Sequence, residues 1–247
     1  MPIYQNPSET SKGKNENFYL QLARGHIANH YPVHKFGAVP AMATNTLGTI
    51  WDINNTVYPW ASWDTAGIIT LTRASTSDAN KVITVQGLDT NYNFAEEDIT
   101  LTATSGNAGS VSWRRVNRMF IKTDIAGNIG DITAVKDGVN VARITATFSQ
   151  TLMAVYTIPA GKTGFLLQGT MSAQDGKDAS GLMMVRYFGT NVFRIGHAFE
   201  VSSASNYNYT FAVPIAIPEK SDIDIQARSR DRNGRYAAAF DMILVDN

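Results

Sequence analysis

From Ala43 onward, apolar and hydroxyl-bearing residues alternate along the chain. Ile69 and Leu71 alternate with Thr70 and Thr72, and Ile83 and Val85 with Thr84 and Gln86; Ile99, Leu101 and Ala103 alternate with Asp98, Thr100 and Thr102. A side-chain period of two belongs to a strand with one face in a core and the other in water. Branched aliphatics and threonines suit that pleated, half-buried surface. The spacers at 75–80, 89–93 and 105–109 are rich in Ser, Asn, Asp and Gly, the residues of turns.

The second half repeats the pattern with heavier strands, at 163–170, 181–188, 192–199, 207–213, 222–228 and 236–245. Thr151 to Ile158 is apolar on both faces, as a strand between two layers is. Asn233-Gly234 carries the chemistry of a type I′ hairpin turn between the last two strands. Regular short strands with turn-rich spacers predict an all-β fold, an antiparallel sandwich of jelly-roll type. The surface pattern changes near Phe148–Gln150, which predicts an N-terminal β domain over 33–148 and a C-terminal β-sandwich over 149–247.

Residues 1–17 are nearly devoid of apolar groups and read as a flexible arm. In the stretch that follows, helical spacing aligns Phe18, Leu22 and His26, whereas strand spacing aligns Phe18, Leu20 and Leu22. Gly25 and Pro32 tip that choice toward an extended segment, so 1–32 is expected to be an extended arm.

Composition narrows the function classes. The 247 residues carry 21 Lys+Arg against 21 Asp+Glu, and 17% are charged. A balanced chain lacks the basic excess of a dedicated nucleic-acid binder. A surface so low in charge favours assembly, so a homo-oligomer is expected. There is no cysteine, which excludes disulfides and thiolate chemistry. No stretch approaches eighteen apolar residues, so no membrane-spanning helix is expected.

The candidate motifs each lack a member. Gly161-Lys162-Thr163 follows an apolar strand, but Tyr156 stands where a phosphate loop needs its first glycine. Pro159 to Lys162 instead reads as a hairpin turn. His26, His30 and His34 recur at helical spacing, yet no carboxylate accompanies them and no metal is expected. His197 shares a face with Phe193, Ile195 and Phe199, as a hydrogen-bonded core histidine. Asp89-x-Asn91-x-Asn93 resembles the start of a calcium loop without its glycine or its glutamate, and reads as an Asx turn. Glu96-Glu97-Asp98 alternate faces on a strand and cannot flank one bond. No cofactor is expected.

Trp51, Trp60 and Trp63, with Tyr58 and Pro59, form the densest aromatic group. Exposed, they would stack on sugar rings; buried, they are packing, which is the favoured reading. Arg228, Arg230, Arg232 and Arg235 surround Asn233-Gly234 and suit an acidic protein partner.

Several segments together resemble a family of uncharacterised virion structural proteins of tailed phages, notably cyanophages. They are Lys35-Phe36-Gly37, Thr49-Ile50-Trp51-Asp52, Tyr58-Pro59-Trp60, Val85 to Asp89, Arg115-Val116-Asn117-Arg118, Asn128 to Ile132 and Gln150 to Thr163. The resemblance spans roughly 18–170 and implies a non-enzymatic particle component located in the virion. Its first reading is a capsid decoration or cement protein, expected as a trimer by analogy, with the major capsid protein or tail proteins as partners. A tail or fibre-associated adaptor and a carbohydrate-binding host-recognition module are the alternatives. On this reading the arm orders only on the particle. Neither nucleic acid nor membrane is an expected partner.

One pairing ties these expectations to an interface. A three-residue turn at Gly189-Thr190-Asn191 would set Arg186 directly opposite Arg194. Two like charges so placed repel, and would await carboxylates from a neighbouring subunit.

Overall fold

A computed structural model describes residues 16–53, 56–122, 126–174, 176–230 and 233–247, and the backbone of 3–4. The strands in chain order are β1 (Ile3–Tyr4), β2 (Glu16–Asn17), β3 (His30–Met42), β4 (Gly48–Thr49), β5 (Thr70–Arg73) and β6 (Val82–Asp89). Then come β7 (Phe94–Thr100), β8 (Asn107–Ala108), β9 (Trp113–Ile121), β10 (Ile132–Lys136), β11 (Val139–Ile144) and β12 (Val155–Thr157). The last are β13 (Lys162–Ala173), β14 (Ala179–Arg186), β15 (Arg194–Val201), β16 (Asn206–Ile217), β17 (Asp222–Ser229) and β18 (Gly234–Asp246). All their ladders are antiparallel, as the period of two predicts.

Two sandwiches result. In the first, the sheet β7-β6-β9 faces the sheet β11-β10-β5-β8 over a core of Ile69, Leu71, Ile83, Val85, Trp113 and their neighbours. In the second, β16-β13-β18-β3 faces β12-β17-β14-β15, and β4 extends the latter beside β17. The alternation that predicted these strands holds in detail: β14 is buried at every odd residue from Ala179 to Val185.

The segment before β12 explains its own apolar character. Met153 and Val155 enter the first core, while Ala154, Tyr156 and Ile158 enter the second. Ile50 and Trp51 divide in the same way, and the two segments are tied by the Ala154 N–H donating to the Ile50 carbonyl at 2.9 Å. Adjacent residues of one chain therefore serve as a wall common to both sandwiches.

Four expectations are corrected. β3 runs along β18 through a ladder from His30 to Met42, so residues 30–42 belong to the second sandwich although 33–148 was expected to form the first domain. Phe18–Ala23 is a helix, α1, instead of an extended segment. Asn17 accepts from the Tyr19 N–H at its start, and Gly25 (φ 70°) ends it, so the glycine acts as a stop and not as a break. Residues 18–32 are thus a helix, turns over 24–29 and the start of β3, and 3–4 pair with 16–17 as β1 and β2; the remainder of the expected arm, 1–2 and 5–15, lies outside the described residues.

Asn233-Gly234 does not close a hairpin. β17 is flanked by β12 and β14, and β18 by β13 and β3, so neither has an edge to offer the other and the chain crosses between sheets. A two-residue hairpin turn stands instead at Asp137-Gly138 between β10 and β11, with φ of 51° and 78°. Pro159 to Lys162 is likewise a corner between sheets, since β12 and β13 lie in opposite layers.

Candidate functional site

β17 alternates Asp222 and Asp224 with Ile223 and Ile225. The isoleucines enter the second core. The aspartates point the other way, where the first sandwich covers them, and both are buried. Asp222 accepts from Arg115 Nε at 2.9 Å and Nη2 at 3.1 Å, from Arg186 Nε at 2.9 Å and Nη2 at 2.6 Å, and from the Thr157 hydroxyl at 2.5 Å. Arg115 comes from β9 of the first sandwich, so a buried, charge-assisted fork joins the two bodies. Arg115 is further held by donating to the carbonyls of Trp63 and Arg114.

Among the described residues no cation pairs with Asp224. Its carboxylate accepts from the Thr49 hydroxyl at 2.9 Å, Trp60 Nε1 at 2.9 Å and Gln226 Nε2 at 2.8 Å. Burial pushes its pKa up to about 6 despite these donors. Lys35 of β3 donates to the Asn117 carbonyl of β9 at 2.5 Å, and burial, then the nearby Arg118, lowers its pKa to about 7. The seam is therefore polar, and Asp222, Asp224, Arg115 and Lys35 each find a hydrogen-bond partner in it.

The aromatic group anchors the same seam. Trp51, Trp60 and Trp63 are all buried, with Tyr58 5.0 Å from Trp51 and 4.7 Å from Trp60 between ring centres. Trp63 Nε1 donates to the Tyr58 hydroxyl, and Pro59 caps the short 3₁₀ turn Trp60–Trp63. Their ring faces are packed, so none is a platform for a sugar.

The arginines separate. Arg186 sits opposite Asp222 on β17, and it is Val185 that faces Arg194, because a bulge at Met183/Met184 shifts the register. The expected Arg186–Arg194 repulsion is thus absent, and Arg186 finds its carboxylate within the chain. Arg194, Arg228 and Arg235 are exposed. Arg230 pairs with Glu200 at 2.8 Å and donates to the Ser180 hydroxyl. Arg232 lies outside the described residues. Arg186 and Arg194 occupy one end of the second sandwich; Arg228, Arg230 and Arg235 occupy the other.

Other motifs settle as local structure. Asp89 Oδ1 accepts from the N–H groups of Asn91 and Asn93, an Asx turn. Glu97 accepts from the N–H groups of Ser110 and Val111 and from Trp113 Nε1, holding the loop before β9. His197 meets the Tyr207 hydroxyl at 3.0 Å among Phe199, Tyr209 and Phe211. His34 pairs with Asp241 of β18.

One surface stands out. β16 is an edge strand, and Asn206–Ile217 carries no charged side chain. Its ladder to β13 is interrupted: Leu166 pairs with Ile215 and Gln168 with Thr210, so the four residues Phe211 to Pro214 bulge opposite Leu167, with Phe211 packed on the core and Ala212 to Pro214 exposed. Val213 at the bulge is 81% exposed and Tyr209 41%. Edge strands are ordinarily guarded by lysines. This one has only the bulge and Pro214.

No protein-family model matches the chain, and no curated protein matches it. Among solved structures it is similar to infectious bursal disease virus Gt strain at 10% identity and TM-score 0.25, covering 94% of this chain and 78% of that one. A second is the cowpea mosaic virus top component, naturally occurring empty particles, at 9% identity and TM-score 0.24, covering 74% of this chain and 82% of that one. The Gx strain of the bursal disease virus gives 9% identity and TM-score 0.26, over 88% and 72% of the two chains. Values this low do not define a shared fold.

Proposed function

We propose that this chain is a non-enzymatic structural component of a tailed-phage virion, a capsid decoration protein that works by symmetric contact with copies of itself. The observation that carries the reading is the β16 edge. An uncharged edge strand with an exposed apolar bulge is a surface built to be covered. Its straight part, Asn206 to Thr210, offers a short ladder, and the bulge stops that ladder from continuing. Such an edge suits a closed oligomer better than an open filament.

The seam supports the same reading. Asp222 is committed to Arg115 and Arg186, and Asp224 to Thr49, Trp60 and Gln226, contacts that join the two sandwiches. Burial of Trp51, Trp60 and Trp63 removes the platform on which a sugar-binding reading rested.

Light scattering on purified protein, with antibody labelling of intact particles, tests the proposal. Wild-type protein is expected to form one discrete oligomer, a trimer by analogy with other sandwich virion proteins, and Val213→Asp to dissociate it without loss of β structure. Labelling is expected over the capsid surface; labelling confined to the tail moves the role to an adaptor. A stable monomer at micromolar concentration together with unlabelled particles sinks the proposal.

A further inference from the structure

A cleft of about 230 Å³ opens beside the seam, where the loop after β14 passes the turn before β17. Four basic side chains line it: Arg114, Arg115, Arg186 and Lys220. The acidic side chains on its wall are Asp222 and Asp64. Asp222 is saturated, because both guanidinium groups of Arg115 and Arg186 share that single carboxylate. Asp64 is exposed, and Arg114 donates to its main-chain carbonyl at 2.7 Å. Arg114 Nε is buried without an acceptor. Lys220 Nζ stands 4.0 Å from Glu219 Oε1, at the outer limit of an ion pair, while the other oxygen of Glu219 accepts from the Gly161 N–H.

The basic groups of the cleft thus outnumber the acids that neutralise them. The walls concentrate the resulting field. Trp63, Tyr92 and Phe188 give the cleft low-dielectric walls, with Arg114 over the Tyr92 ring at 5.3 Å and Lys220 over the Phe188 ring at 5.2 Å. A guanidinium whose in-plane donors are partly spent, lining the same cleft as an ammonium, matches the acceptor geometry of an oxyanion.

We propose that this cleft binds a single oxyanionic group, a phosphate or a carboxylate, between Arg186, Arg114 and Lys220. The two sources of that chemistry are a free anion and the acidic side chain of another chain. The site stands whether or not the protein belongs to a particle.

Fluorescence titration of the full chain tests it, because Trp63 lines the cleft. The probes are inorganic phosphate and N-acetyl-aspartate amide, with sodium chloride at matched ionic strength as the reference. Saturable binding of one or both probes is expected, with chloride giving no saturable change. Phosphate alone binding assigns the cleft to a free anion, and the aspartate amide alone binding assigns it to a side chain. Lys220→Gln, on a half-buried turn, and Arg186→Gln, which leaves Asp222 with Arg115 and Thr157, should each weaken binding about tenfold or more. Circular dichroism checks that each variant is folded, and Lys220→Gln suffices if Arg186→Gln is not. No saturable binding of either probe up to tens of millimolar overturns the proposal. So does undiminished affinity in the folded variants.

Discussion

Arg115 of the first sandwich grips Asp222 of the second through two hydrogen bonds, 2.9 Å from Nε to Oδ1 and 3.1 Å from Nη2 to Oδ2, with both side chains buried. Arg115→Ala leaves Asp222 its bonds from Arg186 and Thr157, so what is lost is the charge-assisted fork between the two sandwiches. Arg115→Ala is expected to destabilise the protein by about 1.5–3 kcal/mol. Denaturant unfolding of Arg115→Ala, Asp222→Asn and the double variant measures it. The double variant should lose less than the sum of the two, and strict additivity would show that the residues are uncoupled.

Asp224 makes stability depend on pH in the acid range. Its pKa rises from 3.8 in the free residue to about 6 on folding, chiefly through burial. The folded chain then holds a proton that the unfolded chain has released, so this contribution is full below pH 3.8 and is lost as pH rises through about 6. Asp224→Asn should flatten that part of the stability profile while the fold persists, since the amide still accepts from Trp60. An unchanged slope between those limits in melts of the variant would refute it.

Lys35 acts on the alkaline side. Burial, with Arg118 nearby, brings its pKa from 10.5 to about 7. Between these values the unfolded chain keeps a proton that the folded chain lacks, so stability rises with pH across the window. Lys35→Met fills the same volume without the charge. It should remove the alkaline rise and leave the protein at least as stable at pH 7, despite loss of the bond to the Asn117 carbonyl. Denaturation midpoints that still climb in Lys35→Met would count against this assignment.

Gly37 marks where β3 touches the common wall. A Cβ there meets the Ala154 nitrogen and the Ile50 carbonyl oxygen, both main-chain atoms that no rotamer change can move aside. Gly37→Ala should cost about 1–3 kcal/mol or more, the range of overpacked sites. Gly25→Ala, with open space around its Cβ, should cost less and act through its positive φ alone. Equal melting temperatures for Gly37→Ala and wild type would mean the wall is softer than the contacts imply.

What the sequence determined by itself is how side chains alternate along the strands. The period of two gave the antiparallel sandwich class, the two-faced apolar run at Thr151 to Ile158 announced a strand between layers, and the Asx chemistry at Asp89 fixed its turn. These are local facts, set by the pleat and by hydrogen bonds two to four residues away. The tertiary structure alone decided what each outward face meets. Asp222-Ile223-Asp224-Ile225 has the same alternation as Asp98-Ile99-Thr100-Leu101, and both read as one face in water. Asp98 does reach the surface and pairs with the exposed Lys122. Asp222 and Asp224 instead lie under the first sandwich, where Arg115, Thr49 and Trp60 replace water as donors. The same limit separates Asn233-Gly234 from Asp137-Gly138. Turn chemistry permits a tight reversal, but a hairpin also needs two strands with free edges facing each other, and β17 and β18 already have neighbours on both sides. Which edge is free depends on pairings between residues far apart in the chain, and no short-range pattern encodes them.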